Sequence, residues 1–334
     1  SLAFDPFISY LLFMNELQSG KIRFVQDGVL LEQAFAQVET NVTGSFPVQG
    51  ENGLVGLAFD PDYASNKYVY ITYAYRTLAG ETFGRIARFT DQNNIGTDFT
   101  ILLDNLPSAP GHQIQSLAFG PDDKLYVSVS DAFVTDLNEV QELDNFLGKF
   151  LRMNKDGSIP DDNPFPNSYI YAYGFRNFYD FVFRENGDIL QAENGPDFND
   201  ELNVLEAGKN YGFPNAIGLS SNPIHTNPIR IWGEIVAPTG MAINEGNQFP
   251  SQYQGNLFLS LFGETFNPFI SNRNKRILAI GLSGNGQSTT TLPEEFVVYN
   301  QSVRGNPLDV TFGPDGSLYF SDIFQEKVFK VSVE

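Results

Sequence analysis

The sequence predicts an all-β fold, a six-bladed β-propeller of four-stranded antiparallel blades, on three observations. One hairpin signature recurs along the chain, its spacing is nearly constant, and helical periodicity is scarce. The signature is a short apolar strand, a turn of Pro, Asp, Gly or Asn, and a second strand rich in Tyr, Phe, Val and Leu. It begins at Leu54 (LVGLAFDPDYASNKYVYITYA), Ser116 (SLAFGPDDKLYVSVSDA), Phe181 (FVFRENGDILQAENG), Thr239 (TGMAINEGNQFPSQYQGNLFLSLFG) and Leu308 (LDVTFGPDGSLYFSDI). Internal similarity at a fixed period marks an array of one supersecondary unit. Successive copies start 62, 65, 58 and 69 residues apart, which is room for about four short strands per unit in a propeller blade. Several β-sandwich domains would supply as many strands without repeating this one hairpin.

Taken in order, the N-terminal SYLLFMNELQSGKIRFVQDG reads as a sixth, truncated copy, and the N-terminal strand is expected to complete the last blade. The turns DPDY, GPDD and GPDG carry the residues a tight hairpin needs, and the flanking β-branched and aromatic residues suit a half-buried sheet. TDLNEVQELDNFLG, at 135–148, is the one segment with a helical pattern. Long inserts at 76–115, 131–170 and 262–300 are expected to carry function, because loops on one face of a propeller surround its channel. The Ser/Thr/Gly-rich 281–293 reads as an exposed turn, and 1–334 as a single propeller domain. Asn41 and Asn300 begin Asn-x-Ser/Thr sequons, short motifs that are usually unoccupied coincidences.

Composition narrows the chemistry. The 334 residues are 42% apolar with 31 Phe, ample for a large core. A net charge of −20 excludes a nucleic-acid backbone as partner, since phosphate binding needs clustered Lys and Arg. The absence of Cys removes disulfides, thiolate nucleophiles and iron–sulfur clusters, and with two histidines a His-rich metal site is improbable. No apolar run approaches the roughly 20 residues that span a bilayer. The first residues, SLAFDPFISYLLFMNELQ, lack a basic n-region and read as mature sequence.

Three places hold residues able to do chemistry. The stretch 193–214, ENGPDFNDELNVLEAGKNYGFP, joins a Gly-Pro turn to adjacent carboxylates, Asp200 and Glu201, and to Tyr211. Turn carbonyls and paired carboxylates are donors for a hard cation such as Ca²⁺, although an acidic loop alone is more often a polar surface turn. His112 precedes an inner strand and Asp131 closes the same hairpin. A His with a nearby carboxylate suits general-base work near neutral pH; the alternative is a His satisfied by local turn backbone. Arg176 and Asn177 lie in YIYAYGFRNFYDFVF, where a guanidinium among apolar residues needs an anion or carbonyl dipole. Pairing of Arg176 with Asp180 or Asp188 would meet that need equally well.

These segments, with GENGLVGLAFDPDY, GHQ…LAFGPDDKLYVSVSD, GSIPDDNPF, IW…VAPTGMAI and DVTFGPDGSLYFSD, occur in the order found in one family. Over roughly residues 10–331 the chain resembles the soluble sugar dehydrogenases that use pyrroloquinoline quinone (PQQ), the glucose/sorbosone dehydrogenases. The resemblance implies His112 as general base, Asp131 as its supporting carboxylate, and Arg176 and Asn177 as contacts of PQQ and substrate. It implies backbone carbonyls of Gly195 and Pro196 on a PQQ-bound Ca²⁺, with Asp200, Glu201 and Tyr211 at a second, structural Ca²⁺. Glu51 stands where many members carry Gln, and Phe175 where they usually carry His. Where well-known members hold the PQQ carboxylates with Lys and Arg, this chain has Phe262, Asn306 and Leu308, with Arg304 close enough to substitute in part. The reaction implied is oxidation of an aldose at its C1 hydroxyl, with an external electron acceptor, in a monomer or homodimer outside the cytoplasm. A Ca²⁺-dependent sugar lactonase and a non-catalytic, calcium-stabilised binding propeller are the alternatives.

Overall fold

A computed structural model of the chain describes residues 1–8, 10–40, 52–265, 269, 271–284, 286, 288–290, 292–299 and 304–333. Asn41, Glu51 and Asn300 lie outside these. The structure is a six-bladed β-propeller of antiparallel blades whose strands follow one another in chain order, except that Ala36–Gln37 pairs back onto Lys21–Gln26. The chain divides into two compact units, residues 1, 3–178 and 206–215, and residues 2, 179–205 and 216–334.

The first unit holds three blades. One consists of Leu2–Phe4, Leu11–Asn15 and Lys21–Gln26 with the short strands Val29–Leu30 and Ala36–Gln37. The next runs Leu54–Phe59, Tyr68–Arg76, Thr82–Asp91 and Gly96–Pro107, and the third Ile114–Phe119, Leu125–Val129, Lys149–Met153 and Ile170–Tyr173. Its cores are aromatic: Phe13 meets Phe24, Phe35 and Phe59 edge-on with ring centroids 4.7, 5.3 and 4.9 Å away. Each such ring contributes roughly 1.5–3 kcal/mol by leaving water. The second unit, which begins within the strand Asn177–Phe183, adds Ile189–Asn194, Asp200–Leu205 and Arg230–Trp232. Its other blades are Pro238–Ile243, Leu257–Leu261, Arg276–Ile280 and Glu294–Val298, then Pro307–Phe312, Leu318–Asp322 and Lys327–Val331.

Three details differ from the sequence reading. The strand Leu2–Phe4 pairs with Leu11–Asn15 in the first blade, so the last blade has three strands among the described residues. The segment 135–148 forms only a 3₁₀ turn, Leu137–Gln141, started by the Asp136 carboxylate accepting from the Asn138 N–H. The long inserts are not wholly loops: they contain the third and fourth strands of their blades.

Local chemistry repeats with the fold. In four blades the inner strand shifts register at the same point, between Leu54 and Leu57, Ile114 and Leu117, Pro238 and Met241, and Pro307 and Val310. Such a bulge leaves an N–H without a ladder partner. A hydroxyl on the adjacent strand takes it in three of them: Thr72 accepts from Gly56, Ser128 from Ser116 and Ser321 from Asp309, at 2.9, 2.9 and 3.1 Å. The second strand of the signature therefore needs a Ser or Thr among its aromatics.

Candidate active site

In the first unit, the register Ile114↔Val129 continues for two residues beyond the strands and sets His112 opposite Asp131. The Ala132 N–H donates to the His112 carbonyl at 3.1 Å. The side chains meet at 2.6 Å, His112 Nδ1 to Asp131 Oδ1, with both residues buried. An ionised carboxylate only accepts, so this hydrogen bond puts a proton on Nδ1, and in the neutral imidazole Nε2 then keeps its lone pair. That is the tautomer a general base requires. The Asp131 N–H in turn donates to the Arg176 carbonyl at 2.8 Å, and the Ser130 hydroxyl donates to Asn177 Oδ1 at 3.2 Å. Hydrogen bonds thus tie His112, Asp131, Arg176 and Asn177 into one group. With its Oδ1 taken, the Asn177 amide has two N–H donors to offer.

The segment 131–148 is hydrogen-bonded to this group at its C-terminal end. The Gly148 N–H donates to the Ser130 carbonyl, and the Gly148 carbonyl accepts from Gly174 and Phe175. Gly148 has φ +62°, and a Cβ there would lie 2.1 Å from the Phe175 oxygen, so only glycine fits. Lys149 is fully buried and donates to the carbonyls of Val140 and Leu147 at 2.8 and 2.6 Å. Burial pushes its pKa down to about 7. Phe175, where a histidine was the expected residue of the pattern, is fully buried and stacks on Tyr211 at 4.9 Å. The Tyr211 hydroxyl accepts from the Glu206 N–H at 2.9 Å.

In the second unit, Asp200 anchors the turn that holds Gly195 and Pro196. Its Oδ1 accepts from the Gly195 N–H, and its Oδ2 from Val236 and Ala237, all at 2.8 Å. Glu201 Oε1 accepts from Gly218 at 2.7 Å and Oε2 from Asn203 at 3.2 Å. Burial, opposed by these hydrogen bonds and reinforced by the charge of Asp200, pushes Glu201 above the usual carboxylate range. Glu193, which sequence reasoning passed over, is buried directly across the ladder from Glu201. Like charges so placed repel. Among the described residues no three His, Asp or Glu side chains group as a metal cage. Phe262 and Asn306 lie over a buried lysine, Lys275, whose Nζ donates to the carbonyls of Phe262 and Thr265; the Asn306 amide reaches the same two oxygens. The Arg304 guanidinium is 6.0 Å from the Phe269 ring.

A family model described as glucose/sorbosone dehydrogenase matches residues 9–323. The chain belongs to the glucose/sorbosone dehydrogenase family. This family member is 34% identical over 234 residues to quinoprotein glucose dehydrogenase B of Acinetobacter calcoaceticus, an alignment covering 62% of this chain and 48% of that protein. It is 28% identical over 341 residues to the aldose sugar dehydrogenase YliI of Escherichia coli, covering 95% and 85%. Its fold is similar to the PQQ-bound aldose sugar dehydrogenase of Streptomyces coelicolor, with a TM-score of 0.78 and 26% identity over 96% of this chain and 86% of that one. What the sequence did not signal in this dehydrogenase-family chain are Ser130, Phe133, Lys149, Glu193 and Lys275. Only Glu193 left a trace, in the period-2 spacing it shares with Gln191.

Proposed function

We propose that the chain is a PQQ- and Ca²⁺-dependent dehydrogenase that oxidises an aldose at its C1 hydroxyl, with His112 as general base. Family membership supports the reaction class, and the buried His112–Asp131 pair at 2.6 Å is the observation that carries the role of His112. The names of the relatives, a quinoprotein glucose dehydrogenase and an aldose sugar dehydrogenase, favour an aldose and a quinone.

Donors for a quinone are present; a preformed carboxylate cage for calcium is not, among the described residues. A quinone asks for donors, and the Asn177 amide, turned by Ser130, presents two; the family resemblance assigns it Arg176, Arg304, His112 and Glu51, the last outside the described residues. For calcium, Glu193 and Glu201 stand opposite each other across the ladder, a pair of buried carboxylates whose repulsion a divalent cation would relieve, while the Asp200 oxygens are taken by three backbone N–H groups. Carbonyls of Gly195 and Pro196 would hold the cofactor's Ca²⁺, and Asp200, Glu201 and Tyr211 the structural one. PQQ, when bound, supplies the two-electron acceptor for the hydride leaving C1.

The protein's own part is proton handling and orientation. His112 Nε2 takes the C1 hydroxyl proton as the C–H bond breaks, and Asp131 stabilises the imidazolium formed. Arg176 and Asn177 align substrate and acceptor and offer hydrogen bonds to developing negative charge. The low pI of about 4.4 suits a calcium-rich setting outside the cytoplasm; among the described residues no helix is long and apolar enough to cross a membrane.

The test is reconstitution. Protein supplied with Ca²⁺ and PQQ is expected to reduce an artificial dye with aldoses, and His112→Ala to abolish this. Failure to bind PQQ at micromolar concentration sinks the reading. Quinone-independent turnover of a sugar lactone would replace it with hydrolysis. A melting temperature lowered by chelation, without turnover of any kind, would leave a binding propeller.

A further inference from the structure

We propose that Phe133 is a positioning residue for His112, holding the imidazole in the one orientation that presents Nε2 outward. The inference rests on His112 being the base. The Phe133 ring stacks on the imidazole at a centroid distance of 3.9 Å and an interplanar angle of 26°. Aromatic pairs ordinarily sit at 4.5–7 Å, so the two rings overlap face to face. Phe133 is 57% exposed while His112 is 6% exposed: the phenyl ring covers the base and gains little burial itself.

The backbone is bent to make this contact. His112, Ala132 and Phe133 all have positive φ, +54°, +51° and +51°, and a bulky residue in the left-handed region is a genuine outlier. Strain of this kind persists where the surroundings over-determine it. Here they do. The Phe133 N–H donates at 3.1 Å to Asp131 Oδ1, the same oxygen that takes His112 Nδ1. Gly111 yields on the other side, because a Cβ there would lie 2.8 Å from the phenyl ring. One carboxylate oxygen therefore fixes the imidazole edge and the residue that covers its face. The hydrogen bond alone leaves the ring free to swing about Nδ1; the stack removes that freedom.

The test pairs a structural readout with kinetics. Long-range ¹H–¹⁵N spectra of the protein without cofactor report the imidazole nitrogens, and His112 is one of only two histidines. The wild type is expected to show a single tautomer with Nδ1 protonated and ring protons shifted by the phenyl current. Phe133→Ala and Phe133→Leu are expected to show averaged nitrogen signals, Phe133→Tyr to restore the wild-type pattern. In the Ca²⁺- and PQQ-loaded enzyme, the Ala and Leu variants should lose about tenfold or more in kcat at unchanged KM, with Tyr rescuing. An unaltered tautomer and kcat in Phe133→Ala would overturn the proposal. So would a rise in KM at constant kcat, which would make Phe133 a sugar-stacking surface. If the wild type oxidises no sugar, the functional reading fails, and the nitrogen spectra alone still decide whether Phe133 positions His112.

Discussion

Replacing Asp200 with alanine removes the acceptor for three backbone N–H groups, those of Gly195, Val236 and Ala237, each at 2.8 Å. Asp200 is 2% exposed, so water does not readily take its place. A buried donor left unpaired costs about 1–3 kcal/mol, and three cost about 3–9 kcal/mol. Native stabilities are about 5–15 kcal/mol, so Asp200→Ala is expected to lie near the limit of folding. Asp200→Asn is the control: with its oxygen toward Val236 and Ala237 it orphans only Gly195, a loss of about 1–3 kcal/mol. Urea denaturation with chelator present measures both. The order Ala worse than Asn, at unchanged m-value, is expected without calcium, because the lost partners are N–H groups of the chain itself. A loss below about 1 kcal/mol for Asp200→Ala under chelation would refute the reasoning, as it would place the residue's whole contribution in metal binding.

Three further outcomes follow from the same geometry. Asp131→Asn removes the charge that fixes the His112 tautomer, and kcat in the reconstituted enzyme is expected to fall by about 10²–10⁴, measured by dye reduction. Gly148→Ala introduces a left-handed alanine, costing about 1–3 kcal/mol, and drives a Cβ against the Phe175 carbonyl; a lowered melting temperature together with a lowered kcat is expected, since Arg176 follows directly. Lys149 has its pKa lowered from 10.5 to about 7, so between these values the unfolded chain binds a proton that the folded chain does not. Its contribution therefore rises with pH across that window, by up to about 1.4 kcal/mol per unit. Urea melts from pH 7 to 10 are expected to show wild type gaining stability relative to Lys149→Met, and a parallel pair of curves would contradict this.

The inner half of each blade was legible because its sequence has to do several things at once. The LYVSVSD and LYFSD strands alternate core aromatics with the hydroxyl that satisfies a bulge, and a tight turn demands Gly, Asp and Asn at fixed places. The outer strands carry no such demand. GTDFTILLDNLP, a twelve-residue strand at Gly96–Pro107, is largely half-buried or exposed, and its mixed composition reads as loop. The segment 135–148 misled for the opposite reason. Leu137, Val140, Leu143 and Leu147 follow a helical spacing, yet Leu137 and Leu143 are each 40% exposed and only Val140 and Leu147 are buried. Gly148 at φ +62° and the Lys149 bonds to Val140 and Leu147 stop the segment after one turn of 3₁₀ and press it against the strand ends.

The same distinction governs the candidate site. Sequence could place His112 and Asp131 at the same end of one hairpin, but counting from Phe119↔Leu125 sets His112 opposite Ala132; the bulge between Ile114 and Leu117 shifts the register by one and brings Asp131 opposite it. Asp200 was legible as a carboxylate but not as the acceptor of three N–H groups, because two of its donors come from Val236 and Ala237, 36 and 37 residues further along. Phe133 was invisible for a different reason. Left-handed backbone is ordinarily announced by Gly or Asn, and here it falls on His, Ala and Phe. A sequence that bends Ala132 and Phe133 into this region beside one carboxylate is spending conformational freedom where local propensity gives no reason to. That mismatch, more than the histidine itself, is what marks the end of this hairpin as a place where orientation matters.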